Sequence, residues 1–202
     1  MSARVVPVAG GSPPPEAVAA LRAGLVVGVP TDTVYGLAVD PWRPGATDRL
    51  FAVKSRPHGV ALPVLVADAG QALQLLGMVP ERAEALMDAF WPGALTIVVP
   101  APPDLGADLG GDGTTVGVRC PDHSLVRALT AATGPLAVTS ANRHGGAPFP
   151  SAAALAAGLD GVEVVLDGGP CAGEPSTVVA VEGRGLRLLR PGVLWPSVQA
   201  LE

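Results

Sequence analysis

Short apolar runs alternate along the chain with longer segments whose apolar positions recur every three to four residues. RVVPV at 4–8 reads as a strand. SPPPEAVAALRAG at 12–24 reads as a helix opened by Ser12 and the prolines, with Glu16 in its first turn and Gly24 as its stop. LVVGVP at 25–30 is apolar throughout and bounded by turn formers, the pattern of a buried strand. Residues 31–45 are turn-rich and 47–56 are helical. ALPVLVAD at 61–68 predicts a strand, and 69–77 and 80–90 predict helices, the second opened by Pro80 and closed before Pro92-Gly93. ALTIVVP at 94–100 and TTVGVRC at 114–120 predict strands on either side of a Gly/Asp/Pro-rich loop. Over 122–134 Leu125, Val126 and Leu129 share a helical face, and Gly134 stops it. A strand at 134–140, a short helix at 151–159 and strands at 162–169, 176–183 and 185–192 complete the pattern. Strands and helices interleave without a long linker, charge block or fixed repeat. The expectation is one α/β domain over 1–202, built on a mixed sheet.

Composition sharpens this picture in three ways. The 202 residues are 49% hydrophobic and 15% charged, which suits a soluble globule with a substantial core. No apolar run approaches the roughly 18 residues a membrane span needs, and the start of the chain has no apolar signal region, so a cytoplasmic protein is expected. Cys120 and Cys171 lie far apart, outside any CxxC pair, and read as reduced thiols. A net charge of −5 disfavours coating nucleic acid through the whole surface, while leaving room for a local basic groove. Of 13 basic residues 12 are Arg and one, Lys54, is Lys; Asn142 and Tyr35 are likewise the single Asn and Tyr. Where Lys is otherwise replaced by Arg, a surviving Lys is a candidate for chemical need, because a compact ammonium and a planar fork are not equivalent.

The polar residues gather at predicted strand ends, where ligand sites of α/β sheets lie. Five stretches stand out: 30–36 (PTDTVYG), 54–57 (KSRP), 118–123 (VRCPDH), 139–142 (TSAN), and 175–177 (PST) with Arg190 beyond it. They bring Lys54, Arg56, Arg119 and Arg190 into company with hydroxyls and an amide, the combination a polyphosphate requires. No GxxxxGK[ST] and no GxGxxG occurs, which argues against a P-loop or a dinucleotide fingerprint. The residues alone thus reach an anion site, with ordinary surface charge as the alternative.

At these same residues the chain resembles the threonylcarbamoyl-adenylate synthases of the YrdC/Sua5 group. The family's PT-[ED]-TVYGL stands here at 30–37, its KxRP at 54–57, its WPGxLT at 91–96 and its VxVRxPxH at 116–123. SANxxG follows at 140–145 and PSTVV at 175–179, with Leu189-Arg190-Pro191-Gly192 after it. Each element is weak alone; six in order, from about Pro30 to Gly192, are specific. The resemblance implies a single YrdC-like domain, a twisted mixed sheet wrapped by helices around a deep concave cleft. It implies an enzyme of nucleotidyltransferase type that makes threonylcarbamoyl-AMP and pyrophosphate from L-threonine, bicarbonate and ATP, for threonylcarbamoyladenosine in tRNA.

The same resemblance assigns roles. Lys54 and Arg56 are the expected catalytic cations, acting on carbamate and phosphates. Thr31, Tyr35, His123 and Ser176 are expected to hold threonine. Arg119, Ser140, Asn142, Ser151 and Arg190 join Lys54 and Arg56 around ATP. Mg²⁺ is expected to travel with ATP on its phosphates and not in a protein cage. A downstream tRNA threonylcarbamoyl transferase complex is an implied partner, and weak RNA binding in the cleft a further expectation. Leu65 falls close to a position where some members have His, which puts one threonine contact in question. Two other readings stay open: an RNA-binding or ribosome-associated module, disfavoured by 3% aromatics, and a paralogue making a different carbamoyl-adenylate.

Overall fold

A computed structural model describes residues 3–8, 10–55, 57–143, 145–171, 173–183 and 185–201. The described elements, in chain order, are β1 (Arg4–Pro7), α1 (Pro15–Arg22), β2 (Val26–Val29), β3 (Gly36–Val39), α2 (Ala46–Lys54) and β4 (Val64–Leu65). Next come α3 (Ala69–Leu76), α4 (Glu81–Phe90), β5 (Leu95–Pro100), β6 (Thr115–Arg119), α5 (Ser124–Thr133) and β7 (Leu136–Ser140). The last are α6 (Ala152–Gly158), β8 (Val162–Asp167), β9 (Thr177–Glu182), β10 (Gly185–Arg190) and α7 (Trp195–Gln199). The strands form one ten-stranded mixed sheet in the order β1-β8-β2-β3-β7-β4-β6-β5-β9-β10. Parallel pairing joins β8 to β1 and β2, β4 to β6, and β5 to β9; the other pairs are antiparallel.

Period-two alternation divides the strands between two layers. On one face Val26, Leu37, Val64, Ile97 and Val118 join Leu50, Leu86 and Leu155 of α2, α4 and α6 in the larger apolar cluster. On the other face Val27, Ala38, Val138 and Val164 join Leu21 of α1 and Leu125 and Leu129 of α5. Each fully buried Leu in these layers stabilises the fold by roughly 2 kcal/mol relative to exposure. Gly28 belongs to the first layer for want of room: a Cβ there would lie 2.8 Å from Leu155 Cδ2.

The second layer stops partway across the sheet. Leu65 pairs with Leu136, at the edge of the α1–α5 layer, and on its other side with Arg119. The same face continues through Thr96, which pairs with Val178, and Val178 pairs with Arg190. One row of neighbours therefore runs from an apolar layer under helices into a row bearing two guanidinium groups.

Four boundaries differ from the sequence expectation. The turn-rich 31–45 contains β3, whose four residues are all buried and so show no alternation to read. The strand expected over 61–68 pairs only at Val64 and Leu65. The first helix starts at Pro15 without a side-chain cap, so Ser12 lies outside it. The short helix α7 was not expected, and its Val198 is buried against the main core.

Candidate active site

Over the part of the sheet that α1 and α5 leave bare lies a cavity of about 390 Å³. That size falls within the roughly 300–1,000 Å³ usual for small-molecule sites. Of the residues expected from sequence, Thr31, Tyr35, Arg119, Ser140, Ser176 and Arg190 line it. The apolar part of the wall includes Leu62, Val98, Val138 and Val178, together with Leu65, so the position in question does face the cavity.

Loop 31–35 is held by its own side chains. Thr31 Oγ1 donates to Val34 O at 2.6 Å and accepts from the N–H groups of Thr33 and Val34, both at 3.1 Å. With that proton spent, the 2.9 Å contact between the Thr31 and Thr33 hydroxyls has Thr33 as donor. Tyr35, fully buried, donates from its hydroxyl to Gly169 O at 2.7 Å and ties the loop to the segment after β8. Burial first, then the nearby Cys171 and Asp167, pushes the Tyr35 pKa up to about 12, so the phenol is neutral and serves as a donor.

Arg119 crosses beneath this loop. Its Nε donates to Gly93 O at 2.9 Å, Nη1 to Thr33 Oγ1 at 3.0 Å and Nη2 to Asp32 Oδ1 at 2.6 Å. Burial lowers its pKa and the Asp32 carboxylate opposes that effect; the guanidinium stays charged. Arg190 reaches in from β10, donating from Nε to Ser176 O at 3.0 Å and from Nη2 to Ser176 Oγ at 2.9 Å. Ser176 Oγ lies 2.9 Å from Thr96 Oγ1. Burial, and then repulsion from Arg119, lower the Arg190 pKa. Two guanidinium groups with interacting charges, beside two hydroxyls, suit an anion with several oxygens.

Lys54 stands behind this wall. Only 4% exposed, it donates from Nζ to Ser140 O at 2.7 Å, to Asn142 O at 2.8 Å and to Asn142 Oδ1. Asn142 spends its amide hydrogens on Arg143 O and Gly146 O, and its Oδ1 also accepts from Ser140 Oγ at 2.7 Å. Lys54 and Asn142 thus build the loop that presents Ser140 to the cavity. Ser151 is the N-cap of α6, accepting from Ala154 N at 3.2 Å, and is not among the lining residues. His123 is the N-cap position of α5 in an extended conformation, with no side-chain cap bond. Its buried Nδ1 has no hydrogen-bond partner among the described residues, and burial lowers its pKa, so the ring is neutral at pH 7. Arg56 lies outside the described residues.

Sequence reading missed Asp32, Thr33 and Thr96 as members of the site. Asp32 and Thr33 sat inside a recognised motif, but their partner is 86 to 87 residues away along the chain. Thiol chemistry is disfavoured, since burial raises the Cys120 pKa to about 11 and also raises that of Cys171. Among the described residues no three His, Cys, Asp or Glu side chains gather to hold a metal ion, and no helix is long and apolar enough to cross a membrane.

A mixed α/β sheet with a doubly cationic cavity on its half-bare face defines the class of this protein, and comparison with known proteins supplies the family. Residues 19–192 match the Sua5/YciO/YrdC family model, described as telomere recombination. The chain belongs to that family. It is 41% identical over 181 residues to the threonylcarbamoyl-AMP synthase of Bacillus subtilis, covering 88% of this chain and 52% of that protein. It is 39% identical over 154 residues to the threonylcarbamoyl-AMP synthase of Chromohalobacter salexigens, covering 76% of this chain and 83% of that one. The crystal structure of Pyrococcus abyssi Sua5 complexed with L-threonine superposes with a TM-score of 0.79 at 33% identity, over 95% of this chain and 58% of that one. The chain thus spans about half the length of the Bacillus relative.

Proposed function

We propose that this protein is a threonylcarbamoyl-AMP synthase, a nucleotidyltransferase joining L-threonine, bicarbonate and ATP with release of pyrophosphate, in the cytoplasm. The observation that carries the reading is the convergence of Arg119, Arg190, Ser176 and Thr96 on one cavity of a chain in this family. Threonine's amine takes up CO₂ to give a carbamate, whose oxygen attacks the α-phosphorus of ATP. That step brings two anions together, so fixed cations and pre-aimed donors are what the protein must supply. Arg190 and Arg119 meet phosphate and carboxylate oxygens, and the hydroxyls of Ser176 and Thr96 orient them. The half-buried His123 and the loop of Thr31 and Tyr35 shape the threonine end. Lys54 and Asn142 fix the Ser140 loop, and Ser151 steadies the helix after it. Mg²⁺ arrives on the triphosphate, whose oxygens suit a hard cation. The adenylate then passes to a tRNA threonylcarbamoyl transferase complex.

The test is pyrophosphate release by purified protein given ATP, bicarbonate and threonine. Release should stop when either threonine or bicarbonate is withheld. Turnover indifferent to both, or ADP and phosphate as products, would overturn the reading.

A further inference from the structure

Arg119 is fixed more firmly than anion binding alone requires. A guanidinium has five N–H groups. Three of them are used, on Gly93 O, Thr33 Oγ1 and Asp32 Oδ1, so two separate loops grip one side chain. The Asp32 contact is the shortest, 2.6 Å, between side chains only 7% and 16% exposed. A carboxylate beside an anion site opposes the anion it serves, unless its purpose is geometry.

We propose that Asp32 is a positioning residue of this site. It sets the orientation of Arg119 and cancels much of that side chain's charge, leaving Arg190 as the principal electrostatic attractor and Arg119 as a directional donor. The Thr33 hydroxyl completes the alignment, since its proton is committed to Thr31 and its lone pair to Arg119 Nη1. The two N–H groups left on Arg119 then point in fixed directions within the cavity wall, one on each terminal nitrogen. The identity of the anion, the phosphates of ATP, rests on the function proposed above.

Charge and geometry predict opposite results for Asp32→Asn. Removing a negative charge beside the site strengthens anion binding, whereas a guanidinium free to swing costs turnover. Calorimetric titration with inorganic pyrophosphate should therefore show Asp32→Asn binding about threefold more tightly than the parent at low salt, an advantage that fades as salt screens it. Its kcat should fall at least about tenfold, because a misplacement near 1 Å is costly in a bimolecular displacement. Asp32→Glu, which keeps the carboxylate, should recover most of kcat. A folded Asp32→Asn protein whose kcat stays within about twofold of the parent would overturn the proposal, since that misplacement cost would then be absent. So would weaker pyrophosphate binding in that folded variant. Should Asp32→Asn melt far below the parent, Asp32→Glu decides: parent-like kcat and affinity support the proposal, and loss of both overturns it. If the unsubstituted protein releases no pyrophosphate with threonine and bicarbonate, the function reading fails on its own, and the titration still decides whether Asp32 offsets the charge of Arg119.

Discussion

Lys54 Nζ donates to both the backbone and the side-chain carbonyl of Asn142, so the chain's one lysine is fastened to its one asparagine. Two of the three residues that composition singled out, Lys54 and Asn142, are halves of one contact. An ammonium can direct its protons at acceptors crowded around one nitrogen; a guanidinium spreads its donors over a plane.

Lys54→Arg should therefore fail although the charge is kept. Turnover is expected to drop on the order of 100-fold as the Ser140 loop shifts. Lys54→Met, which leaves buried acceptors without a donor, should also destabilise the fold by about 3 kcal/mol, roughly 6–12 °C in thermal midpoint. Arg22→Lys on α1 is the control: its guanidinium makes one long bond, 3.3 Å to Ala132 O at an exposed site. Parent-like activity in Lys54→Arg would show that the contact is dispensable.

Tyr35 offers a site-specific titration because it is the only tyrosine. Its pKa rises from about 10 unfolded to about 12 in the fold, so the fold favours the neutral phenol. The stability this contributes is fully present below the unfolded value and is lost as pH rises through the folded one. The phenolate absorbance should appear near pH 12 in native protein and near pH 10 in denaturant. Tyr35→Phe should flatten that part of the stability profile. A native titration at the unfolded value would mean that the Tyr35 hydroxyl is not withdrawn from water, since burial is the main cause of the shift.

Gly173 marks a close approach of two backbones. A Cβ there would lie 2.7 Å from Thr33 O, which accepts from Gly173 N at 2.9 Å, and 3.0 Å from Asp32 O. Gly173→Ala should displace the loop carrying Asp32 and Thr33, with a stability loss of about 1–3 kcal/mol and a larger proportional loss of turnover. Urea unfolding beside steady-state kinetics measures both. Wild-type values for both would show that the segment at Gly173 moves aside without cost.

Substrate analogues test the amino-acid end. A site that bonds the threonine hydroxyl should accept serine poorly and 2-aminobutyrate far worse, because a missing hydroxyl leaves buried polar groups unpaired. Comparable pyrophosphate release with all three would mean that a wall such as Leu65 reads only shape.

What the sequence disclosed follows from which interactions are local. The strand β6 alternates visibly, Val116 and Val118 against Thr115, Gly117 and Arg119, since only one of its faces meets the core under the helices. The strand β3 is buried on both faces and lies beside a turn-rich run, so period two left no trace. Motif positions placed Thr31, Tyr35, Arg119, Ser140, Ser176 and Arg190 on one cavity. They could not show that Thr31 and Asn142 spend their hydrogen bonds on their own loops, nor that Asp32 belongs with Arg119. Those facts depend on how the strands are ordered in space.

The abrupt end of the α1–α5 layer has a consequence for how this molecule can change. Along β5 and β9 each residue that faces the cavity is flanked by residues buried beneath the opposite helices: Thr96 between Leu95 and Ile97, Val178 between Thr177 and Val179. Odd and even positions of one strand thus answer to separate selective demands. Drift at Val98, Gly117 or Val178 can retune what the cavity accepts while Ile97, Val118 and Val179 keep the sheet assembled. A half-tiled sheet gives its lineage a set of positions where chemistry can be edited without rewriting the fold.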